Sequence, residues 1–319
     1  SDMHPAYSVI FFTTDSGAGY GLLMWLALAQ IVTGLPDHQG FRWAAFVIAL
    51  VLITAGLLSS TAHLGRPERA WRAFSQWRTS WLSREGVAAV FTYVPAGLFA
   101  LGALFGGTDN MPGLTRGPWA VLTLIGAFAT VWCTAMIYAS LTTIRAWNDD
   151  LVLPVYLVLA LATGGVLYCA LAALAGVVSH LAIWLTVVLL GLGWALKALY
   201  WSRIDGRRLT LTAADAIGLP GAGNVRPIEP AHTQANFVMR EMGYDVARRH
   251  SDRLRIYCSI LLFVIPALAL LMLLGVTALA PLLALVAVVA AAVGVFFERW
   301  LFFAEAQHVV TLYYGEAVA

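Results

Sequence analysis

The chain has 319 residues, 61% of them hydrophobic and only 11% charged, against roughly 25% charged in an average globular protein. Seventeen acidic and nineteen basic residues cannot cover a soluble fold of this size, and a mean hydropathy of +0.80 agrees, so the composition is that of an integral membrane protein. A net charge of +2 is too small to imply a nucleic-acid partner.

Crossing a hydrocarbon core of ~30 Å takes about 20 apolar residues. Eight runs of that kind are present, at 16–36, 41–62, 86–106, 117–140, 152–176, 180–201, 255–275 and 278–297. Stop signals flank them: Gly34-Leu35-Pro36-Asp37 closes the first, Gly106-Gly107 the third, Asn148-Asp149-Asp150 precedes the fifth, and Pro281 opens the eighth, where its missing N–H costs little. Transmembrane barrels show short alternating segments, whereas these runs are continuous. The expected fold is all-α, a single membrane domain built as a bundle of eight transmembrane helices.

An even number of spans puts both termini on one side, together with loops 63–85, 141–151 and 202–254. Seventeen of the nineteen Lys and Arg residues fall on that side; only Arg42 and Arg116 fall on the other. The positive-inside rule then makes the termini and large loops cytoplasmic, in a bacterial inner membrane. A basic face that docks a partner would give the same asymmetry. The start lacks the basic region of a cleavable signal, and Ser1-Asp2 ahead of Met3 read as additions before the natural start. The segment 202–254 is too poor in apolar residues for an independent enzyme domain and reads as a docking loop, with a charged helix from about Thr233 to Arg255.

The chemistry-bearing residues concentrate in the loop between spans 2 and 3, HLGRPERAWRAFSQWRTSWLSREG. His63 and Glu85 stand at its two ends, at one membrane depth. Arg66 and Arg84 flank them, and Trp71, Trp77 and Trp81 supply rings suited to the headgroup level. Reducing a quinone needs two electrons and two protons at a place reachable from lipid, and imidazole and carboxyl groups deliver protons near neutral pH. The same residues also suit a plainer account, with the arginines as positive-inside anchors and the tryptophans as an interfacial belt; composition does not decide between them. At the amino terminus Phe11, Phe12, Thr13, Thr14 and Asp15 lie at the interface, and Phe12 and Thr14 are candidates for the far wall of such a pocket. Gly17, Gly19 and Gly21 admit close approach of a helix or a ligand. Glu298 and Arg299 sit where the last span leaves the membrane, as an anchor or as a further wall.

No metal centre is expected in this protein. Cys133, Cys169 and Cys258 are isolated in apolar sequence, with no CxxC or His/Cys cluster for zinc or iron-sulfur. No span interior contains any of the seven histidines, so a bis-histidine haem is not expected either.

The stretches HLGRPERAW (63–71) and SWLSREG (80–86), on an eight-span chain that begins MHPAYSVIFFTT, resemble the membrane-anchor subunits of the dimethyl sulfoxide reductase family. The resemblance implies a three-part enzyme: a molybdenum-cofactor catalytic subunit, an iron-sulfur electron-transfer subunit, and an anchor that reacts with ubiquinone or menaquinone in the bilayer. It also implies quinol binding by His63 and Glu85, whereas Arg66, Arg84 and the tryptophans enter from position alone. In the dimethyl sulfoxide reductase the catalytic face is external, opposite to the arginine asymmetry here. A sulfite-oxidising branch working in the cytoplasm fits better, and its start and long loop resemble Met3–Gly19 and Val225–Arg255; electrons would then run from sulfite to quinone. The alternatives are a quinol-oxidising anchor of an S- or N-oxide reductase, a purely structural tether and, remotely, a transporter. A transporter would place ionisable groups near the midplane, and here every charged side chain is expected at a span end.

Overall fold

The computed structural model describes residues 5–62, 67–105, 117–206, 212–219, 225 and 250–306. The described residues form an all-helical molecule: α1 (Pro5–Val32), α2 (Gln39–Ala62), a 3₁₀ helix (Pro67–Gln76), α3 (Trp81–Phe105), α4 (Gly117–Ala139), α5 (Val152–Leu174), α6 (His180–Gly206), a one-turn α7 (Ala213–Ala216), α8 (Ser251–Leu273) and α9 (Ala280–Ala304). Most of 202–254, including the expected charged helix up to residue 249, lies outside the described residues.

Seven helices, α2 to α6, α8 and α9, are long and apolar enough to cross a membrane, which makes this a multi-pass membrane protein. α1 is not among the seven although it has 28 residues. Asp15, Ser16 and three glycines dilute its apolar content, and it starts eleven residues earlier than the apolar run at 16–36 suggests. The early start is helped by two hydroxyls that fold onto the helix's own backbone: Thr13 donates to the Val9 carbonyl at 2.9 Å and Ser16 to the Phe12 carbonyl at 2.5 Å. Side chains bonded in this way present no unsatisfied hydroxyl to the neighbouring helices. Gly34, in the left-handed region at φ 80°, lets the backbone turn away after α1.

α1 and α5 are the centre of the bundle. α1 packs on α2, α4, α5 and α9, and α5 adds contacts to α6. The two approach so closely that a Cβ on Gly21 would meet the Ala160 backbone, and one on Gly164 would meet the Gly21 backbone. Trp25 ties the same seam by donating from Nε1 to the Leu161 carbonyl at 2.8 Å. Gly21 and Gly19 therefore serve helix packing, Gly19 against Ala49 and Ile53 of α2, whereas Gly17 faces open space. In α8 the turn Ser259–Val264 opens to π geometry just before Pro266. The wider turn accommodates a proline ring that would otherwise strike the preceding turn.

The ends of the helices sort by polarity. The start of α1 lies beside the end of α2, where Ser59 donates to the Ser8 carbonyl at 3.0 Å, and beside α9, where Phe11 and Phe296 are 5.5 Å apart. The 3₁₀ helix packs on α2 and α3 at this same end. This is the polar end of the bundle.

Gly164→Ala should force α1 and α5 apart and cost about 1–3 kcal/mol, read as a lower melting temperature of the purified protein. Gly17→Ala, with room for its methyl group, should hold or raise that temperature, since alanine is the better helix former.

Candidate functional site

Glu85 lies four residues into α3, about 6 Å below its polar end, and is only 3% exposed. Its carboxyl accepts a hydrogen bond from the hydroxyl of Thr134 on α4. The Thr134 hydroxyl also lies 3.0 Å from the Thr130 carbonyl. One hydroxyl proton thus faces two acceptors. With the carboxyl ionised, Thr134 turns its proton to Glu85; with the carboxyl protonated, Glu85 donates to Thr134, which donates to the Thr130 carbonyl. The contact holds Glu85 in one place in either state. The α3–α4 seam continues below it, where Thr92 and Thr130 bring their hydroxyls to 3.5 Å and Gly126 leaves room for the Thr92 side chain.

On the same face of α3, one turn further in, Ala89 begins a narrow crevice. Ala89, Thr92, Tyr93 and Ala96 of α3 line one side, Leu50 and Ile53 of α2 the other, and Tyr20 and Leu23 of α1 form its floor. It is too tight for a water molecule in this conformation. Thr54 and Tyr93 share a hydrogen bond of 2.7 Å across the α2–α3 gap, and Gln39 reaches the Leu104 carbonyl at the far end. The outer surfaces of both helices expose mainly apolar side chains, Val51 and Leu58 on α2 and Val90, Phe91 and Val94 on α3, as suits a lipid-facing surface. The spacing Glu85, Ala89, Thr92, Ala96 puts the carboxyl and the crevice on one helix stripe.

His63 and Arg66 lie outside the described residues. The other residues expected at the site are dispersed around Glu85 rather than gathered on it. Trp71 and Trp77 are exposed, each under the guanidinium of its neighbour, Arg72 at 5.6 Å and Arg78 at 5.5 Å. Arg84 donates to the Trp77 carbonyl at 2.9 Å and the Arg78 carbonyl at 2.7 Å while stacking on Trp81 at 4.3 Å. Its geometry is that of a brace for the turn entering α3. Phe12 is buried and Thr14 half-buried on α1, where the Phe12 carbonyl faces Gly56 of α2. Phe74 of the 3₁₀ helix, which the sequence pattern does not single out, lies over Gly86 and roofs the start of α3.

A second polar cluster corrects the expectation that every charge sits at a span end. Lys197 on α6 and Glu298 and Arg299 on α9 are at most 3% exposed. Lys197 Nζ is 2.5 Å from Glu298 Oε1, and Arg299 Nη1 is 3.2 Å from Glu298 Oε2. The Arg299 guanidinium lies 3.6 Å over the ring of Tyr156 on α5, and Lys197 lies over Tyr200 at 4.4 Å. The helices outrun the apolar segments: α6 continues to Gly206 and α9 to Ala304, so these charges are five to nine residues inside. Nearer the polar end, Arg255 bridges Asp205, at 2.6 and 3.0 Å, and Glu305, at 2.8 Å. Burial holds the Glu305 carboxyl above its ordinary pKa in spite of Arg255. Among the described residues no three of His, Cys, Asp and Glu come together as a metal site would need.

Glu298 is the anion shared by two buried cations, so removing it strands both. Glu298→Ala should cost about 3–5 kcal/mol, whereas Lys197→Met, which leaves the Arg299 pair intact, should cost clearly less. Melting temperatures of the two variants, prepared alike, check the order.

Comparison with known proteins agrees with the sequence and the architecture. The sequence model of the family described as "DMSO reductase anchor subunit (DmsC)" matches residues 2–315. A sulfite dehydrogenase subunit of Allochromatium vinosum is 36% identical, over 98% of this chain and 99% of its own length. Two proteins named as chains of anaerobic dimethyl sulfoxide reductase, one from Haemophilus influenzae and one from Escherichia coli, are each 26% identical, over 45% and 44% of this chain and 50% and 48% of their own lengths. The chain belongs to the DMSO reductase anchor subunit family.

Proposed function

We propose that this protein is the quinone-reactive anchor of a molybdenum and iron-sulfur oxidoreductase, with Glu85 exchanging protons with a quinone that reaches it from the lipid through the crevice between α2 and α3. The observation that carries the reading is the buried Glu85 carboxyl, held by Thr134 one helical turn from a crevice lined mainly by apolar side chains of α1, α2 and α3. A lipid-soluble ring with a long apolar tail matches that arrangement: the tail lies along Leu50, Ile53 and Ala96, and the ring oxygens meet the polar end. The crevice is closed here, so the ring enters as α2 and α3 part at the Thr54–Tyr93 bond. Pro95, which removes one rung of the α3 ladder beside the crevice, eases that motion.

In this reading α1 is an eighth span, both termini are cytoplasmic, and the polar end faces the cytoplasm of a bacterial cell. The iron-sulfur subunit docks there, with the 202–254 segment as part of its seat, and the molybdenum subunit lies beyond it. His63 joins Glu85 as the second proton-exchanging group, with Arg66 beside it. Trp71, Trp77 and Trp81 hold the loop at the headgroup level. The near full-length similarity to a sulfite dehydrogenase subunit supports quinone reduction: sulfite oxidation to sulfate releases two electrons, and these with two protons convert a quinone to a quinol. The partial similarity to dimethyl sulfoxide reductase chains supports the reverse direction at the same site, driven by a different catalytic partner.

Glu85→Gln keeps a hydrogen bond to Thr134 but cannot exchange a proton. In the assembled complex it should lower quinone reduction at least ~100-fold relative to sulfite oxidation with a soluble dye on the same preparation, and His63→Ala should act in the same direction. Quinone reduction at the wild-type ratio in both variants would remove the site. Leu50→Trp, which narrows the crevice from the lipid side, should raise KM for a long-tailed quinone by roughly tenfold with little change in kcat.

A further inference from the structure

Of the side chains that line the crevice, three carry hydroxyls: Thr92, Tyr93 and Tyr20. Thr92 donates to the Ala88 carbonyl of its own helix at 2.6 Å, and Tyr93 shares its bond of 2.7 Å with Thr54. Tyr20 differs. It is 2% exposed, and its buried hydroxyl makes no hydrogen bond among the described residues. Its polar neighbour on α4, Thr130, spends its own proton on the Gly126 carbonyl at 2.8 Å. Water does not fill the place either, because the crevice is too tight for a water molecule. A buried tyrosine hydroxyl ordinarily finds a partner, and one left bare in an apolar bundle costs stability without helping the helices to pack. Its position is fixed from outside the crevice. The next residue, Gly21, abuts the backbone of Ala160 and Gly164 on α5, and Gly19 abuts Ala49 and Ile53 on α2. α5 thus holds this stretch of α1 wherever α3 stands. A helical side chain leans toward the start of its helix, which for α1 is the polar end, so the Tyr20 ring rises from the floor of the crevice toward the Glu85 side.

We propose that the Tyr20 hydroxyl is a binding group of the quinone site, donating a hydrogen bond to a ring oxygen when the ring enters the crevice. The proposal rests on the reading of Glu85 as the group that exchanges protons with a quinone there. Glu85 gives and takes the protons, and Tyr20 keeps its own. A phenol stays protonated near neutral pH and can also accept. It therefore donates to the carbonyl of a quinone and, with its O–H turned, accepts from the hydroxyl of a quinol. One fixed atom serves both redox states of the ring, whichever way the electrons run. Because the hydroxyl has no partner to give up and sits on a held helix, the ring gains this bond without displacing another. The same hydroxyl sorts what enters. A lipid acyl chain in the crevice would leave it bare, whereas an oxygen-bearing ring satisfies it, and a buried polar group left unpaired discriminates strongly against the ligand that fails to pair it.

Tyr20→Phe deletes only a hydroxyl that bonds nothing in the closed crevice. The melting temperature of the quinone-free complex should therefore hold or rise, which loss of a structural hydroxyl would not give. In the assembled complex KM for the quinone should rise roughly tenfold, as the loss of one hydrogen bond implies, while kcat, normalised to dye-linked sulfite oxidation on the same preparation, changes far less. In infrared difference spectra taken with carbonyl-labelled quinone, a carbonyl band of the bound ring should move to higher frequency in the variant, where its hydrogen bond is gone. An unchanged KM and carbonyl band in Tyr20→Phe, with Glu85→Gln inactive, would overturn the role of Tyr20 and leave the quinone site standing. A lower melting temperature with an unshifted band would overturn it too, and assign the hydroxyl to the fold. Full quinone activity in Glu85→Gln would remove the site and the role of Tyr20 together.

Discussion

The hydrogen bond between Glu85 of α3 and Thr134 of α4 is the contact on which the proposed quinone site depends. A carboxyl group inside an apolar bundle needs a partner, and the Thr134 hydroxyl supplies one that serves either protonation state. The rest of the α3–α4 seam follows the same stripe, with Thr92 against Thr130 and Gly126. That seam fixes the rotation of α3. With α3 so turned, Ala89, Thr92 and Ala96 line the crevice against α1 and α2, and the carboxyl stands one helical turn beyond Ala89. The close approach of α1 to α5 at Gly21 and Gly164 supplies the rigid floor, because α1 cannot retreat from Tyr20 and Leu23 without opening the centre of the bundle.

The bundle is asymmetric along its axis. Buried ionic groups occur toward the polar end: Glu85, Lys197, Glu298, Arg299, the Arg255 network, and Asp149 paired with Arg203 at 3.4 Å. Aromatic rings fill the space between them. Tyr138 and Phe302 pack edge-on or stacked against each other, and each against Tyr156 and Trp147, within 5.3 to 6.0 Å, and Trp147 donates to the Phe302 carbonyl at 2.9 Å. Rings and ion pairs together make a stiff plate across the ends of α4, α5, α6 and α9. The opposite end, held by short links, carries no comparable buried ionic network among the described residues.

Much of this was legible from sequence where the signal is local. Continuous apolar runs mark membrane helices whatever their neighbours, and Glu85 stands out as a carboxyl at the mouth of a run after an aromatic and basic loop. The extent of α1 was not legible, because Thr13, Thr14 and Asp15 look like interface residues ahead of the apolar run, until the Thr13 hydroxyl is seen bonded to the Val9 carbonyl of its own helix. Thr134 was missed for a related reason: a threonine in an apolar run is ordinary packing until a carboxyl stands opposite. The Lys197–Glu298 pair joins residues about a hundred positions apart, and no local pattern couples them. Glu298 and Arg299 read as a membrane exit because the apolar run stops there, while the helix itself goes on to Ala304. Of the three glycines in α1, which ones meet a neighbour depended on the rotation of the helix, a property that sequence spacing alone leaves open.

The central claim, that a quinone occupies the crevice between α2 and α3 beneath Glu85, is tested most directly by labelling the assembled complex in its membrane with a photoreactive quinone and locating the modified residues by peptide mass spectrometry. The account predicts label on the crevice walls, at Leu50 or Ile53 of α2 and between Glu85 and Ala96 of α3, suppressed by excess unlabelled quinone. Competable label confined elsewhere, for example to the apolar groove between Leu261 and Ile265 of α8 and Val289 and Val293 of α9, would contradict it.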